Sequence, residues 1–306
     1  MIVLVTGAGG QLAGELVRTA PPTATVVALG LADLDITDAE AVERAVARHR
    51  PQAIVNAAAY TAVDRAETEV DLAFLVNRDG PRHLAESAQR HGAFLVHTST
   101  DFVFDGSAGS PYLPEAQAHP TSVYGASKLA GEMAVRHALP SAAIVRTAWL
   151  YAAHGRNFVQ TMIRLMREKG SVRVVADQVG TPTDARGLAE CCWRAIERRL
   201  GGLFHWTDAG VASWYDFAVA IAEAALDSGL LARMPTVEPI RTVDYPTPAR
   251  RPAYSVLDKT STWLALGLAA PHWRIPLRRT IAEIAAASSA VPPHATPHPA
   301  QGPGHA

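Results

Sequence analysis

Five consecutive residues, Tyr124-Gly125-Ala126-Ser127-Lys128, carry the densest chemistry in this chain. On a helix, a four-residue spacing puts the Tyr124 phenol and the Lys128 ammonium on one face, a turn apart. A free phenol, with a pKa near ~10, exchanges protons poorly at neutral pH unless a fixed positive charge favours its phenolate. Lys128 would supply that charge. An amphipathic helix with a solvated lysine and a half-buried tyrosine is the plain alternative, and the pair alone does not exclude it. A second segment, His97-Thr98-Ser99-Thr100-Asp101, ends a β-branched run and brings hydroxyls able to hold a carbonyl against the phenol.

A third segment, Val5-Thr6-Gly7-Ala8-Gly9-Gly10-Gln11-Leu12-Ala13-Gly14, sets glycines between the first apolar run and a helical pattern. Gly7 would permit a tight turn, Gly10 the approach of backbone to a pyrophosphate, and Ala13 close packing of helix on strand. The unpaired amides of the helix start would then face the phosphates. Glycines alone could mark an ordinary turn; on the N-terminal strand of an alternating α/β pattern they read as a dinucleotide site. Hydride transfer from a nicotinamide to a carbonyl needs this trio of phosphate loop, hydroxyl and activated phenol, because the cofactor carries the electrons and the protein hands over one proton.

Which nicotinamide is less direct. After the second strand come Asp33, Asp35 and Asp38, with no basic residue before Arg44. A carboxylate there suits the ribose hydroxyls of NADH, whereas a 2′-phosphate usually wants an arginine. Composition therefore leans to NADH, although Asp35 and Asp38 could equally end a loop and cap a helix. Asn56-Ala57-Ala58-Ala59-Tyr60-Thr61 offers small side chains against which an adenosine or ribose could lie, or which simply pack.

The elements that must position these groups follow from periodicity. Ile2 to Thr6, Thr25 to Leu29, Ala53 to Asn56, Ala93 to Thr98 and Ala142 to Arg146 are predicted strands, separated by helical stretches Gln11 to Thr19, Asp38 to His49, Asp71 to His91 and Ser122 to His137. Apolar strands joined by helical crossovers imply a doubly wound parallel α/β sheet of the Rossmann type, with ligands beyond the strands' carboxyl ends. The less regular second half predicts a helix from Asn157 to Glu168, a strand from Val172 to Val175, helices near Ala185 to Arg199 and Ser213 to Ser228, and an extended loop from Tyr245 to Pro252. The expected division is a dinucleotide-binding domain over 1–156, a smaller α/β substrate lobe over 157–287 that exchanges segments with it, and a disordered Ser, Ala, Pro, His and Gly tail over 288–306. His294, His298 and His305 in that tail read as solvated side chains.

A formal charge of -1 gives no electrostatic reason to expect a nucleic acid partner. No apolar run is long enough to cross a membrane as a helix and the N-terminus reads as a core strand, so a soluble, cytoplasmic protein is expected. Cys191 and Cys192, adjacent on a predicted helix, cannot make a relaxed disulfide and read as core.

Taken together these segments resemble the extended short-chain dehydrogenase/reductase family, and within it the dTDP-4-dehydrorhamnose reductase branch. The likeness runs through Gly7 to Leu12, Asn56 to Asp64, Ser99 to Gly106 and Tyr124 to Glu132, then Arg146 to Tyr151, Asn157-Phe158, Asp177 to Thr183 and Arg251-Pro252, covering the chain to about residue 284. It implies that Tyr124 protonates the C4 oxygen of dTDP-4-dehydro-L-rhamnose, that Lys128 holds the nicotinamide ribose and lowers the phenol's pKa, and that Thr100 hydrogen-bonds the reacting oxygen. It further implies that Gly7, Gly10, Gln11, Leu12, Asp35, Ile36, Ala59, Tyr60, Thr61 and Thr98 line the cofactor, with Tyr124 and Lys128, and that Thr100, Asp101, Trp149, Gln178 and Arg251 meet the sugar nucleotide. NADPH is the implied cofactor, with NADH also accepted. Some relatives dimerise through a metal held by glutamates; Glu15 and Glu283 match two of those places and Arg186 the third, so no metal is expected here, and the chain is expected to be a monomer or a homodimer. Two rivals remain open: another sugar-nucleotide ketoreductase or epimerase of the same fold, and a non-catalytic regulatory subunit.

Overall fold

The computed structural model describes residues 1–289; the tail histidines and all but the first two residues of the expected disordered tail lie outside the described residues. The first half alternates β1 (Ile2–Thr6), α1 (Gln11–Arg18), β2 (Thr25–Leu29), α2 (Ala39–His49) and β3 (Ala53–Asn56). Short helices α3 (Val63–Ala66) and α4 (Val70–Phe74) lead through a wide π turn at Leu75–Asp79 into α5 (Gly80–His91), β4 (Phe94–Thr100), α6 (Val123–Ala138) and β5 (Ala143–Thr147). All five expected strands are present, β4 running two residues further to include Thr100. Asp38 caps α2 by accepting from the amides of Glu40 and Ala41, as its place before an apolar-periodic run implied. The third crossover is the exception: the single helix expected over Asp71 to His91 is broken by the π turn.

The second half adds β6 (Leu150–Tyr151), α7 (Phe158–Lys169), β7 (Ser171–Val175), β8 (Val179–Gly180), β9 (Thr183–Asp184) and α8 (Ala185–Arg198), then β10 (Gly202–His205), β11 (Ala212–Ser213), α9 (Trp214–Asp227), β12 (Thr236–Ile240), α10 (Thr260–Leu266) and α11 (Arg274–Ser289). The main sheet is parallel throughout, in the order β10-β5-β4-β3-β1-β2. Chain direction across the sheet reverses between β1 and β3, which makes their carboxyl ends the switch point where such sheets open a crevice.

Alternate residues of the strands feed two cores. Val3, Val5, Val55, Val96 and Val145 pack on one face under α1 and α8, and Leu4, Ile54, Leu95 and Ile144 on the other against α2, α5 and α6. Both faces are covered, so the strands read as continuous apolar runs. Cys191 and Cys192 are free and lie in the first of these cores. Thus α8 and β10, from the second half of the sequence, complete the sheet of the first. A separate core built by α7, α9 and α11 around Phe217, Ile221 and Tyr151 forms the other lobe, edged by the parallel pair β7 and β12.

Candidate active site

The turn between β1 and α1 places Gly7 at φ +75° and Gly9 at +88°. A Cβ on Gly7 would stand 2.8 Å from the Ala58 nitrogen and 2.9 Å from the Ala57 carbonyl, so the ends of β1 and β3 meet backbone to backbone and only glycine fits. Gly10 is the N-cap of α1 and offers no side-chain cap, which leaves first-turn amides, including those of Gln11 and Leu12, open to an anion. The Leu12 side chain itself is core. The Gln11 carboxamide oxygen accepts from Asn157 Nδ2 at 2.9 Å, tying the smaller lobe to this turn. A glycine-only turn and an uncapped helix start at the switch point fit the pyrophosphate of a dinucleotide.

Beyond β2, Asp35 Oδ1 accepts from the Thr37 amide at 2.9 Å and hydroxyl at 2.8 Å, and Asp33 Oδ2 from the Gly30 amide at 3.0 Å. Ile36 is buried in the core, so only its backbone is placed to meet a ligand. Beyond β3, Ala59 is half-buried and Thr61 exposed. Tyr60 donates its amide to Asn77 Oδ1 at 2.9 Å and receives Asn77 Nδ2 on its carbonyl at 3.0 Å; its phenol is committed to Glu69 at 2.5 Å.

Helix α6 is set against this edge by buried polar contacts. Ser122 caps it, accepting from the Gly125 amide. The Arg146 guanidinium forks onto Glu132 at 2.8 and 2.7 Å, and Ser99 donates to the same carboxylate at 2.5 Å, which pins α6 to β5 and β4. Breaking a buried pair of this kind costs about 3–5 kcal/mol because the remaining charge is stranded. Asn77 Nδ2 also donates to the Ser127 hydroxyl at 3.0 Å, and Ser127 to the Tyr124 carbonyl at 2.8 Å.

So held, Tyr124 is buried beside Thr100. Burial pushes the phenol up to about 12, against the lowering effect of the nearby Thr100 hydroxyl, so the lowering expected from Lys128 is not what this structure shows. Thr100 donates to Asp101 Oδ1 at 3.0 Å and accepts from the Phe102 amide at 3.2 Å. Lys128 Nζ donates to the Thr98 carbonyl at 2.6 Å, and burial pushes its ammonium down to about 8. The Thr98 hydroxyl donates to the Asn56 carbonyl at 3.0 Å. Asp101 is fully enclosed; burial raises its carboxyl to about 6, against the hydroxyls of Ser255 and Thr100. Its Oδ2 is buried and has no hydrogen-bond partner of good geometry among the described residues, an unmet acceptor next to Thr100.

The structure therefore brings Tyr124, Thr100 and Asp101 together, with Lys128 beside them on Thr98. Trp149 stands at the start of β6 with φ +46°, a conformation a bulky residue adopts only when its surroundings impose it; its ring stacks on Trp214 with centroids 3.5 Å apart and planes at 8°. Gln178 is buried and donates to the Thr242 hydroxyl at 3.1 Å. Arg251 is committed to Asp64, with nitrogens at 2.9 and 2.8 Å from its two oxygens. Glu15 and Glu283 do converge, both accepting from Arg18, with Arg186 3.7 Å from Glu283. Sequence reasoning missed Asn77, Asn157, Trp214 and Ser255, none of which sits in a spacing that marks it; only the segment Asn157-Phe158 carried a signal, through resemblance.

Comparison with known proteins accords with this geometry. The sequence model of a family described as the RmlD substrate binding domain matches residues 1–286. The chain is similar to a dTDP-4-dehydrorhamnose reductase of Aggregatibacter actinomycetemcomitans, 40% identical over 284 residues, 90% of this chain and 97% of that one. It is also similar to a probable dTDP-4,6-dihydroxy-2-methyloxan-3-one 4-ketoreductase of Streptomyces antibioticus, 46% identical over 291 residues, 93% of this chain and 96% of that one. Among solved structures, a dTDP-4-dehydrorhamnose reductase of Bacillus anthracis in complex with NADP superposes with a TM-score of 0.88 at 38% identity, covering 92% of this chain and 99% of that chain.

Proposed function

Because the chain belongs to the RmlD substrate binding domain family, among relatives that are dTDP-4-dehydrorhamnose reductases, we propose that it reduces the C4 ketone of dTDP-4-dehydro-L-rhamnose to the alcohol of dTDP-L-rhamnose, using NADPH. Bound NADPH supplies the hydride, and one proton must come from the protein for the reaction to balance.

The observation that carries this reading is the Tyr124 phenol buried beside Thr100, with the Lys128 ammonium fixed on Thr98 of the same strand end. Tyr124 gives its proton to the C4 oxygen; an alkoxide is basic enough to take it even from a phenol held near 12. Thr100, whose hydroxyl accepts from the Phe102 amide and donates to Asp101 in the free chain, turns its one proton to that oxygen when substrate binds. Lys128 keeps positive charge beside the phenolate that forms and holds the nicotinamide ribose. The unpartnered Asp101 Oδ2 takes a sugar hydroxyl, and Trp149 covers the sugar. Gly7 and Gly10 let backbone approach the pyrophosphate, and the Gln11 and Leu12 amides bind it; Asp35, Ile36, Ala59, Tyr60, Thr61 and Thr98 line the rest of the dinucleotide. The enzyme works in the cytoplasm as a monomer or homodimer.

A second reading stays open because a probable 4-ketoreductase of a different dTDP-sugar series and a dTDP-4-dehydrorhamnose reductase are each 46% identical to this chain, so identity does not choose the sugar. Both readings use the same proton and hydride chemistry and differ only in the sugar. Consumption of NADPH with dTDP-4-dehydro-L-rhamnose, followed by NMR of the product, tests the first; turnover confined to another 4-keto sugar would select the second. An epimerase would need no external NADPH per turnover, and a regulatory subunit would show none with any 4-keto sugar nucleotide.

A further inference from the structure

One carboxylate ties together the elements that carry the reacting groups. Glu132 stands one turn beyond Lys128 on α6, Ser99 lies between Thr98 and Thr100 on β4, and Arg146 is the residue of β5 that faces Ser99 across the ladder. All three side chains are buried. Glu132 Oε1 accepts from the Ser99 hydroxyl at 2.5 Å and from Arg146 Nε at 2.8 Å, and its Oε2 accepts from Arg146 Nη2 at 2.7 Å. Arg146 Nη1 donates to the Pro114 carbonyl at 3.2 Å, and its guanidinium lies 5.1 Å from the centre of the Phe104 ring, so it also holds the chain between β4 and α6.

A gain in stability does not account for burying two charges here. Their desolvation offsets most of the attraction, and apolar side chains of similar volume commonly replace such pairs without loss. What directional bonds to one carboxylate do supply is a fixed geometry. Helix α6 sits so close to its neighbours that a Cβ on Gly125 would overlap the Phe102 carbonyl and one on Gly131 the Asn77 carbonyl. Contacts of that kind limit how near the helix comes, but they do not choose its rotation or its height along β4. The Glu132 bonds choose both, and a slip there would part Lys128 from the Thr98 carbonyl and Tyr124 from Thr100. We infer that Glu132 is a positioning residue for the reduction: clamped by Ser99 and Arg146, it sets the register of the helix bearing Tyr124 and Lys128 against the strand end bearing Thr98 and Thr100. The inference rests on the reading of Tyr124 and Lys128 as the proton donor and its charged partner.

The same carboxylate acts on Lys128 through its charge. Burial lowers the ammonium to about 8, and Glu132 resists that fall. The other groups around Lys128 do not replace it. His97 on β4 is held well below the usual histidine range, first by burial and then by the ammonium itself, and so is neutral. Asn77 of the π turn is uncharged, and Asp101 beyond β4 acts on Tyr124. Helices α3, α4 and α5 also pack on α6, and among the described residues none of their charged groups acts on Lys128. Removing the Glu132 charge would leave the Arg146 cation alone nearby, so Lys128 would lose its proton at lower pH.

The test uses the full chain and reads NADPH-dependent reduction of dTDP-4-dehydro-L-rhamnose across pH, NADPH affinity by fluorescence, and thermal melting. Glu132→Gln keeps the reach and loses the charge, and its alkaline limb should move down by about one pH unit. Glu132→Asp keeps the charge and loses the reach. Its limb should stay at the wild-type position while kcat falls about 10- to 100-fold, KM for the sugar nucleotide changes little, and NADPH affinity weakens about 3- to 10-fold as Lys128 leaves the nicotinamide ribose. Glu132→Met combined with Arg146→Met removes both buried charges and guards against a single variant that fails to fold; at a Tm near the wild type's it should show the same losses of kcat and NADPH affinity. Wild-type kcat and NADPH affinity in that folded double variant, beside an inactive Tyr124→Phe, overturn this inference alone; should the sugar not be turned over, the NADPH affinity decides by itself. A fully active Tyr124→Phe removes the reading of the site as well.

Discussion

Lys128 Nζ lies 2.6 Å from the Thr98 carbonyl oxygen, so the ammonium on α6 is fixed from the end of β4 rather than by its own flexible stem. The same strand end carries Thr100, two residues on, beside the Tyr124 phenol. Phenol and ammonium are therefore registered to one another twice, through the helix and through the strand.

Tyr124→Phe separates proton transfer from binding. The ring keeps its edge contact with Phe102, so packing survives while the proton donor is lost. Turnover should fall by about 10²–10⁴-fold, with NADPH affinity within two-fold by fluorescence titration. Near-normal turnover would send the search for the donor elsewhere, first to a bound water.

Burial brings Lys128 down to about 8, within reach of ordinary assays. The charged form predominates below that value and is lost above it, so kcat/KM should decline as pH rises through about 8. Lys128→Arg stays charged across this range; its activity will be lower, but that alkaline limb should vanish. Lys128→Met should weaken both NADPH binding and turnover. An alkaline limb unchanged in Lys128→Arg would assign it to another group.

Much of this arrangement was legible in the sequence, because strands β1 to β5 are local apolar runs and the Tyr124 and Lys128 spacing is a property of one helix. What escaped was non-local. Strand β10, Gly202–His205, is as short as β3 but opens on a glycine and lacks the β-branched residues of β3, so it gains its identity from pairing with β5. The π turn at Leu75–Asp79 sits in a pattern that any helix would fit, yet it is what buries Asn77 between Tyr60 and Ser127. Arg251 was readable as a cation but not as the partner of Asp64, and a φ of +46° at Trp149 contradicts every local preference of tryptophan. The lean toward NADH rested on Asp33 and Asp35; the structure gives both carboxylates local amide donors, so their first task is shaping the turn, and the family relative holds NADP.

The Trp149 and Trp214 rings, 3.5 Å apart and nearly parallel, stack face to face beside the place proposed for the sugar. Trp214→Leu removes the support that holds Trp149 in its strained backbone conformation. KM for the sugar nucleotide should rise by about 5- to 20-fold, on the scale of one aromatic contact, while kcat changes less, and the circular-dichroism couplet of the stacked indoles should disappear. Trp214→Phe should recover most of the KM. A lost couplet with unchanged KM would make the stack mere packing.

Asp208 offers a stability test away from the chemistry. It is 1% exposed beside the carboxylate of Asp184, whose amide donates to Asp208 Oδ2 at 3.0 Å, and burial raises its carboxyl to about 8 from 3.8. The folded chain thus binds this proton more tightly than the unfolded one. The stabilisation is complete below pH 3.8 and drains away as pH rises through about 8. Arg279, ion-paired with Asp184, and Lys259 soften the penalty without cancelling it. Melting at pH 6 and pH 9 should show the wild type losing several degrees, roughly what a change of about 1–2 kcal/mol produces in a chain of this size. Asp208→Asn keeps an oxygen for the Asp184 amide and has no proton to lose, so its Tm should be much flatter over the same interval and should exceed the wild type's at pH 9. Equal alkaline slopes in the two proteins would show that Asp208 is already ionised in the folded state at neutral pH, with Arg279 balancing both carboxylates.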